Sequence, residues 1–126
     1  MISGGRWPRP LASLGRKSEA LLDARTVARI ARRLAPDIVH LHNTNTSALA
    51  YLSALRRLRL QLVATAHVVT PHEPVAFQEA LYRRIHTLPD LVIAHSELDR
   101  ARLVREFGVP EGNITVIPHG DYSFFA

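Results

Sequence analysis

Residues 91–120 read LVIAHSELDRARLVREFGVPEGNITVIPHG, and this run decides the fold class. It opens on a short, continuously apolar segment, Leu91 to Ala94, which reads as a strand. Ser96 then begins SELD, where a serine hydroxyl caps a helix and Asp99 stands at the position from which an acidic side chain reaches back. Leu98, Ala101, Val104 and Phe107 keep a helical period. Gly108 ends the helix in the left-handed conformation, with Pro110 just beyond it. After PEGN a second apolar run, Ile114 to Ile117, stops at PHGDY. The unit is strand, helix, strand.

The same alternation runs upstream. Ile38 to Leu41 within DIVHLHN reads as a strand, and a helix over about Ser47 to Leu58 carries Leu49, Leu52, Leu55 and Leu58. Leu62 to Ala66 (LVATA) is another strand, followed by the proline-rich loop HVVTPHEP and a helix over about Val75 to His86. Ahead of them, Ser18 caps a first helix on which Leu22, Val27, Ile30, Ala31 and Leu34 form the apolar side, opposite arginines 25, 29, 32 and 33, until Pro36 ends it. Gly4, Gly5, Pro8, Pro10 and Gly15 make residues 1–17 a loose tail, so the folded domain is expected over 18–126. Strands that are continuously apolar and alternate with helices belong to a parallel sheet covered on both faces. The predicted class is α/β.

Composition narrows the function. At 126 residues the chain holds one domain with a sizeable core, and 47% hydrophobic against 21% charged residues is the balance of a folding globular protein. No apolar run approaches the roughly 20 residues of a membrane-spanning helix, and the first residues lack a signal peptide's apolar centre. The expected compartment is the cytoplasm. Absence of cysteine excludes disulfides, thiolate metal sites and cysteine nucleophiles. A net charge of +5 and a pI near 10.7 ask for an anionic partner. Aromatic residues are only 6% and are not interleaved with the arginines, so no stacking platform for nucleic acid is expected. A peripheral contact with an anionic membrane, at its inner face, is the better use of the charge.

Ligands of an open parallel sheet bind beyond the carboxyl ends of its strands. His40 and His42, His67, His95 and His119 all fall at or just past such ends. Asn43, Thr44, Thr65, His72, Glu73, Ser96 and Gly120 belong to the same turns. Each has an ordinary reading too: His40 packed inside, His67 merely exposed, His72 and Glu73 a polar loop tip, Ser96 only a cap, and His119-Gly120 only a turn that uses a positive φ at glycine. No G-x-G-x-x-G, P-loop or G-x-S-x-G motif is present. His40, His42 and His67, with Glu73 as a carboxylate, leave open a small metal-dependent hydrolase. A non-catalytic, partner-dependent scaffold is a third reading.

The succession PDIVHLHN (36–43), LVATAHVVTPHEP (62–74) and LPDLVIAHSELDRARLVREFGVPEGNITVIPHGDY (88–122) resembles the later part of the N-terminal domain of family-4 (group 1) glycosyltransferases of the GT-B fold. The resemblance implies a Rossmann-like sheet and the transfer of a sugar, as in a hexosyltransferase, from a nucleotide-sugar donor to a lipid-linked, polysaccharide or small-molecule acceptor. It implies no cofactor and no metal. By the same resemblance His67 faces the transferred sugar as the catalytic contact, His72 and Glu73 border the acceptor, and Ser96, His119 and Gly120 border the cleft; Asn43 joins them as a substrate-binding candidate. Family members begin with a strand and a glycine-rich turn, whereas no strand precedes Gly4-Gly5 here. The donor-binding C-terminal domain is also absent from the sequence, which stops at YSFFA. A truncated product, a fragment or one part of a split enzyme is therefore expected, with little or no transferase activity alone and with donor binding only beside a complementary domain.

Overall fold

In a computed structural model the described residues are 9–42, 44–67, 69 and 78–120, with side chains from residue 19 onward. They form α1 (Arg9–Leu34), β1 (Ile38–Leu41), α2 (Ala48–Arg56), β2 (Gln61–Thr65), α3 (Gln78–Thr87), β3 (Leu91–Ala94), α4 (Glu97–Phe107), a short 3-10 turn (Glu111–Asn113) and β4 (Ile114–Val116). The four strands are parallel and lie in the order β1-β2-β3-β4. This is the α/β, Rossmann-like architecture that the alternation predicts.

Strand order equal to chain order has a geometric consequence. Crossovers between parallel strands are right-handed, so α2, α3 and α4 must all fall on one side of the sheet. Burial agrees: Leu62, Ala64, Val92, Ala94 and Ile114 are buried, and with Val39 and Leu41 they form one row in the ladder register. Beneath the helices Leu62, Val92, Ala94 and Ile114 join Leu52, Leu55, Ile85, Leu103 and Phe107 in the core, with Val39 and Leu41 packed against it. The other row carries Ile38 and Ile117, 57% and 49% exposed, with Val63, Leu91 and Ile93 half-buried. The expectation of helices on both faces is thus corrected among the described residues. Continuous apolar runs implied two covers because the outer row is apolar as well.

The first helix also departs from its expectation. It begins at Arg9, ahead of Ser18, so the boundary drawn between 17 and 18 falls inside α1. Pro10 in a first turn forfeits no helical hydrogen bond and starts the helix with its φ already set. On α1 the expected apolar side is mostly in solvent: Leu22, Val27, Ile30 and Leu34 are exposed, while Ala24 and Ala31 are buried and Ala20 and Ala28 half-buried. Alanines at helical spacing form the seam, and α1 lies against α2. Small residues let two helix backbones approach closely.

The termini of α4 follow the sequence. Ser96 Oγ accepts the Asp99 N–H at 3.1 Å, and Gly108 ends the helix at φ 69° with its N–H on the Val104 carbonyl at 3.2 Å. Two non-glycine residues, Ala35 (φ 46°) and Arg59 (φ 57°), adopt the same left-handed conformation after α1 and α2. No helix of the described residues is long and apolar enough to cross a membrane.

Candidate functional site

The carboxyl edge of the sheet collects imidazoles. His40 lies in β1, and the ladder continues past the ends of β2 and β4 through Ala66 N–H to Ile93 O (2.9 Å) and Ile117 N–H to Ala94 O (2.8 Å). Alternation then sends His40, His42, His67, His95 and His119 to the same side, the one that the helices leave open. Their rings meet in two groups. His40 stacks on His42 with centroids 4.2 Å apart. His95 and His119 stack at 3.7 Å, and His67 lies 5.0 Å from His95 and 5.9 Å from His119.

Each group is held differently. His40 Nε2 pairs with Thr65 Oγ1 at 2.7 Å across two adjacent strands, and Thr65 is buried. Burial first, and the neighbouring His42 second, lower the His40 pKa below its ordinary value. His95 donates from Nδ1 to the Ile117 carbonyl at 2.9 Å, which fixes its ring. His67 is lowered by burial first and then by His95, His119 and His42, against the opposing effect of a hydrogen bond to the His42 backbone. A neutral His67 offers one donor and one acceptor, the pairing that a sugar hydroxyl can use in either sense.

Among the sequence-predicted residues, His67, Ser96, His119 and Gly120 lie at this edge, as do His40 and His42. Ser96 is the α4 cap, so any ligand contact would share its hydroxyl. Gly120 does not use the positive φ that the turn reading invoked; among the described glycines that belongs to Gly108. Asn43, His72 and Glu73 lie outside the described residues. The metal set His40, His42 and His67 is not the one assembled. Thr65 engages the His40 nitrogen, and the imidazoles that share a centre are His67, His95 and His119, with ligand atoms all within 4.8 Å of one another.

His95 is the residue that sequence reasoning left out of the predicted site. Its signal was the strand-end position it shares with the other four. A shallow depression along α3, lined by Glu79, Ala80, Arg83, Arg84 and Thr87, includes none of these histidines, and an exposed Glu79–Arg83 pair crosses it.

Comparison with known proteins agrees with this architecture. The family model for Glycosyltransferase Family 4 matches residues 2–120. The crystal structure of a glycosyltransferase from Rickettsia africae ESF-5 superposes with a TM-score of 0.60 at 20% identity, over 95% of this chain and 28% of that one. The chain therefore spans little more than a quarter of the length of that structure. No curated protein matches.

Proposed function

Since the chain belongs to glycosyltransferase family 4, we propose that it is part of the acceptor-side, N-terminal Rossmann-like domain of an enzyme that transfers a hexose from a nucleotide-sugar donor to a lipid-linked, polysaccharide or small-molecule acceptor. The observation that carries this reading is the family match together with His67 at the carboxyl end of β2, on the edge where ligands of parallel sheets bind. His67 touches the transferred sugar. Asn43, His72, Glu73, Ser96, His119 and Gly120 border the acceptor and the cleft. Sugars present many hydroxyls and few charges, which suits neutral imidazole, amide and hydroxyl groups.

The donor nucleotide belongs to a complementary C-terminal domain. Stabilising the departing diphosphate is the larger electrostatic task, and the described edge holds histidines in place of arginines or lysines for it. The isolated chain therefore has little or no transferase activity. Joining it to the remaining parts of a matching full-length enzyme and replacing His67 with Ala is the test: a fall in sugar transfer of about a hundredfold is expected for the loss of a transition-state contact, and undiminished transfer rejects the role.

The exposed Leu22, Ile30 and Leu34 of α1 stand beside exposed Arg29, Arg32 and Arg33. They support a peripheral contact with an anionic bilayer that carries a lipid-linked acceptor. Co-sedimentation with anionic vesicles, lost at high salt, is the expected result; no binding at low salt removes the membrane from the reading.

A further inference from the structure

Three strand ends deliver three imidazoles to one point, and hydrogen bonding to sugar hydroxyls does not require that convergence. We propose that His67, His95 and His119 form a binding site for one divalent transition-metal ion of the zinc class. The inference goes beyond the transferase reading, with which it shares His67 and His119; metal uptake is read without sugar transfer, so either can fail while the other holds.

The donor set decides the chemistry. All three ligands are neutral, borderline-soft imidazoles, a set suited to Zn2+, Co2+, Ni2+ or Cu2+ and poor for Mg2+ or Ca2+, which want oxygen. Three protein ligands also leave a fourth tetrahedral position open for water or a ligand oxygen.

Geometry supports this at His95 most strongly. Its Nδ1–H donates to the Ile117 carbonyl, so Nε2 carries the lone pair. That Nε2 is buried and has no hydrogen-bond partner among the described residues. A buried acceptor left unpaired is costly, and a metal ion is a partner that satisfies it. A ring whose other nitrogen is tied to a backbone carbonyl is also the usual arrangement of a metal-ligating histidine, because it fixes tautomer and direction.

The remaining two ligands can complete the shell. His67 and His119 are exposed, so their rings can turn without displacing the core. Their nitrogens and that of His95 lie within 4.8 Å of one another. Tetrahedral zinc sets nitrogen ligands about 3.4 Å apart, so ring movements on the order of 1 Å close the set. The backbone beneath is held by Ala66 N–H to Ile93 O and Ile117 N–H to Ala94 O, one bond for each pair of adjacent strands.

The test uses the full chain without a histidine tag, stripped with chelator, dialysed and titrated with Zn2+ by calorimetry and with Co2+ by visible absorption at neutral pH. One ion per chain is expected, with the intense visible band of tetrahedral Co2+. His95→Gln and His119→Gln should each weaken Zn2+ binding by about tenfold or more, while His40→Gln binds as the parent does, with circular dichroism reporting the fold of each variant. Ring-nitrogen NMR of the unaltered chain needs no variant: Zn2+ should shift His67, His95 and His119. No uptake by the folded parent chain overturns the proposal. Loss of binding in His40→Gln with retention in His95→Gln, or ring shifts confined to other histidines, overturns it equally.

Discussion

Asp90 holds both backbone polar groups of Leu62: its N–H donates to the Leu62 carbonyl at 2.8 Å, and its carboxylate Oδ2 accepts the Leu62 N–H at 2.9 Å. The other carboxylate oxygen meets Arg56 at 2.7 Å. One residue at the entry to β3 thus sets the start of β2. Asp90→Ala should cost about 1–3 kcal/mol by urea unfolding, since it removes a charge-assisted bond and strands an N–H. Asp90→Asn keeps an acceptor and should cost less, and Arg56→Ala, an exposed ion-pair partner, below about 1 kcal/mol. The Leu62 N–H, ahead of Arg56, holds the carboxyl below its ordinary value of 3.8, with burial opposing. Its contribution is therefore present above pH 3.8 and is lost as pH falls through the folded pKa.

Acid should weaken the fold earlier, through His86. This ring is fully buried beside Phe107 and Tyr82, and its Nε2–H donates to the Val69 carbonyl at 3.3 Å. Burial pushes its pKa from 6.5 down to about 4, the Val69 bond opposing. Between these values the unfolded chain binds the proton and the folded chain does not, so stability rises with pH across that window. The full difference amounts to about 3 kcal/mol at most. Denaturation measured from pH 4 to 7 should show this slope, and His86→Phe should flatten it.

Backbone conformation gives a pair of opposite effects. Arg59 holds φ 57° without the freedom of glycine, whereas Gly108 holds φ 69° with nothing within 4 Å of where a Cβ would sit. Arg59→Gly should be neutral or raise stability by up to about 1 kcal/mol, and Gly108→Ala should lower it by about 1 kcal/mol through backbone strain alone. Thermal melting of the two variants checks both signs.

The alanine seam of α1 makes a third contrast. Ala24 and Ala31 are 2% and 7% exposed, against 61% and 73% for Leu22 and Leu34. Ala24→Leu should force α1 off α2 and cost about 1–3 kcal/mol. Leu22→Ala and Leu34→Ala should stay within about 0.5 kcal/mol of the parent chain. Equal effects at both positions would contradict this packing.

Much of this was legible in residues alone, for reasons that also explain the rest. Ser96 and Gly108 bound α4 because capping and left-handed closure are local chemistry, and Leu91 to Ala94 needs no context to read as a strand. Alanine and leucine repeat on α1 with the same period, however, and periodicity cannot say which row meets a neighbour. Ile38, Val63, Leu91 and Ile93 misled in a related way: an apolar strand residue does not reveal whether a helix covers it. The gathering of histidines at one edge was visible from strand ends, but their division into His40 with His42 and His67 with His95 and His119 depends on cross-strand distances. His95 joins the site through its distances to His67 and His119 and its tie to the Ile117 carbonyl.

Because strand order repeats chain order, each β-strand joins the edge left by the one before it. Every pairing links strands that are neighbours in sequence, which keeps each crossover close to the shortest a parallel sheet allows. Among the described strands none inserts between earlier ones, so this sheet can grow in one direction as the chain emerges during synthesis. His67 and His95 precede β4 in the chain, and His119 follows it. Among the described strands, the imidazole cluster can therefore close only once β4 has docked on β3.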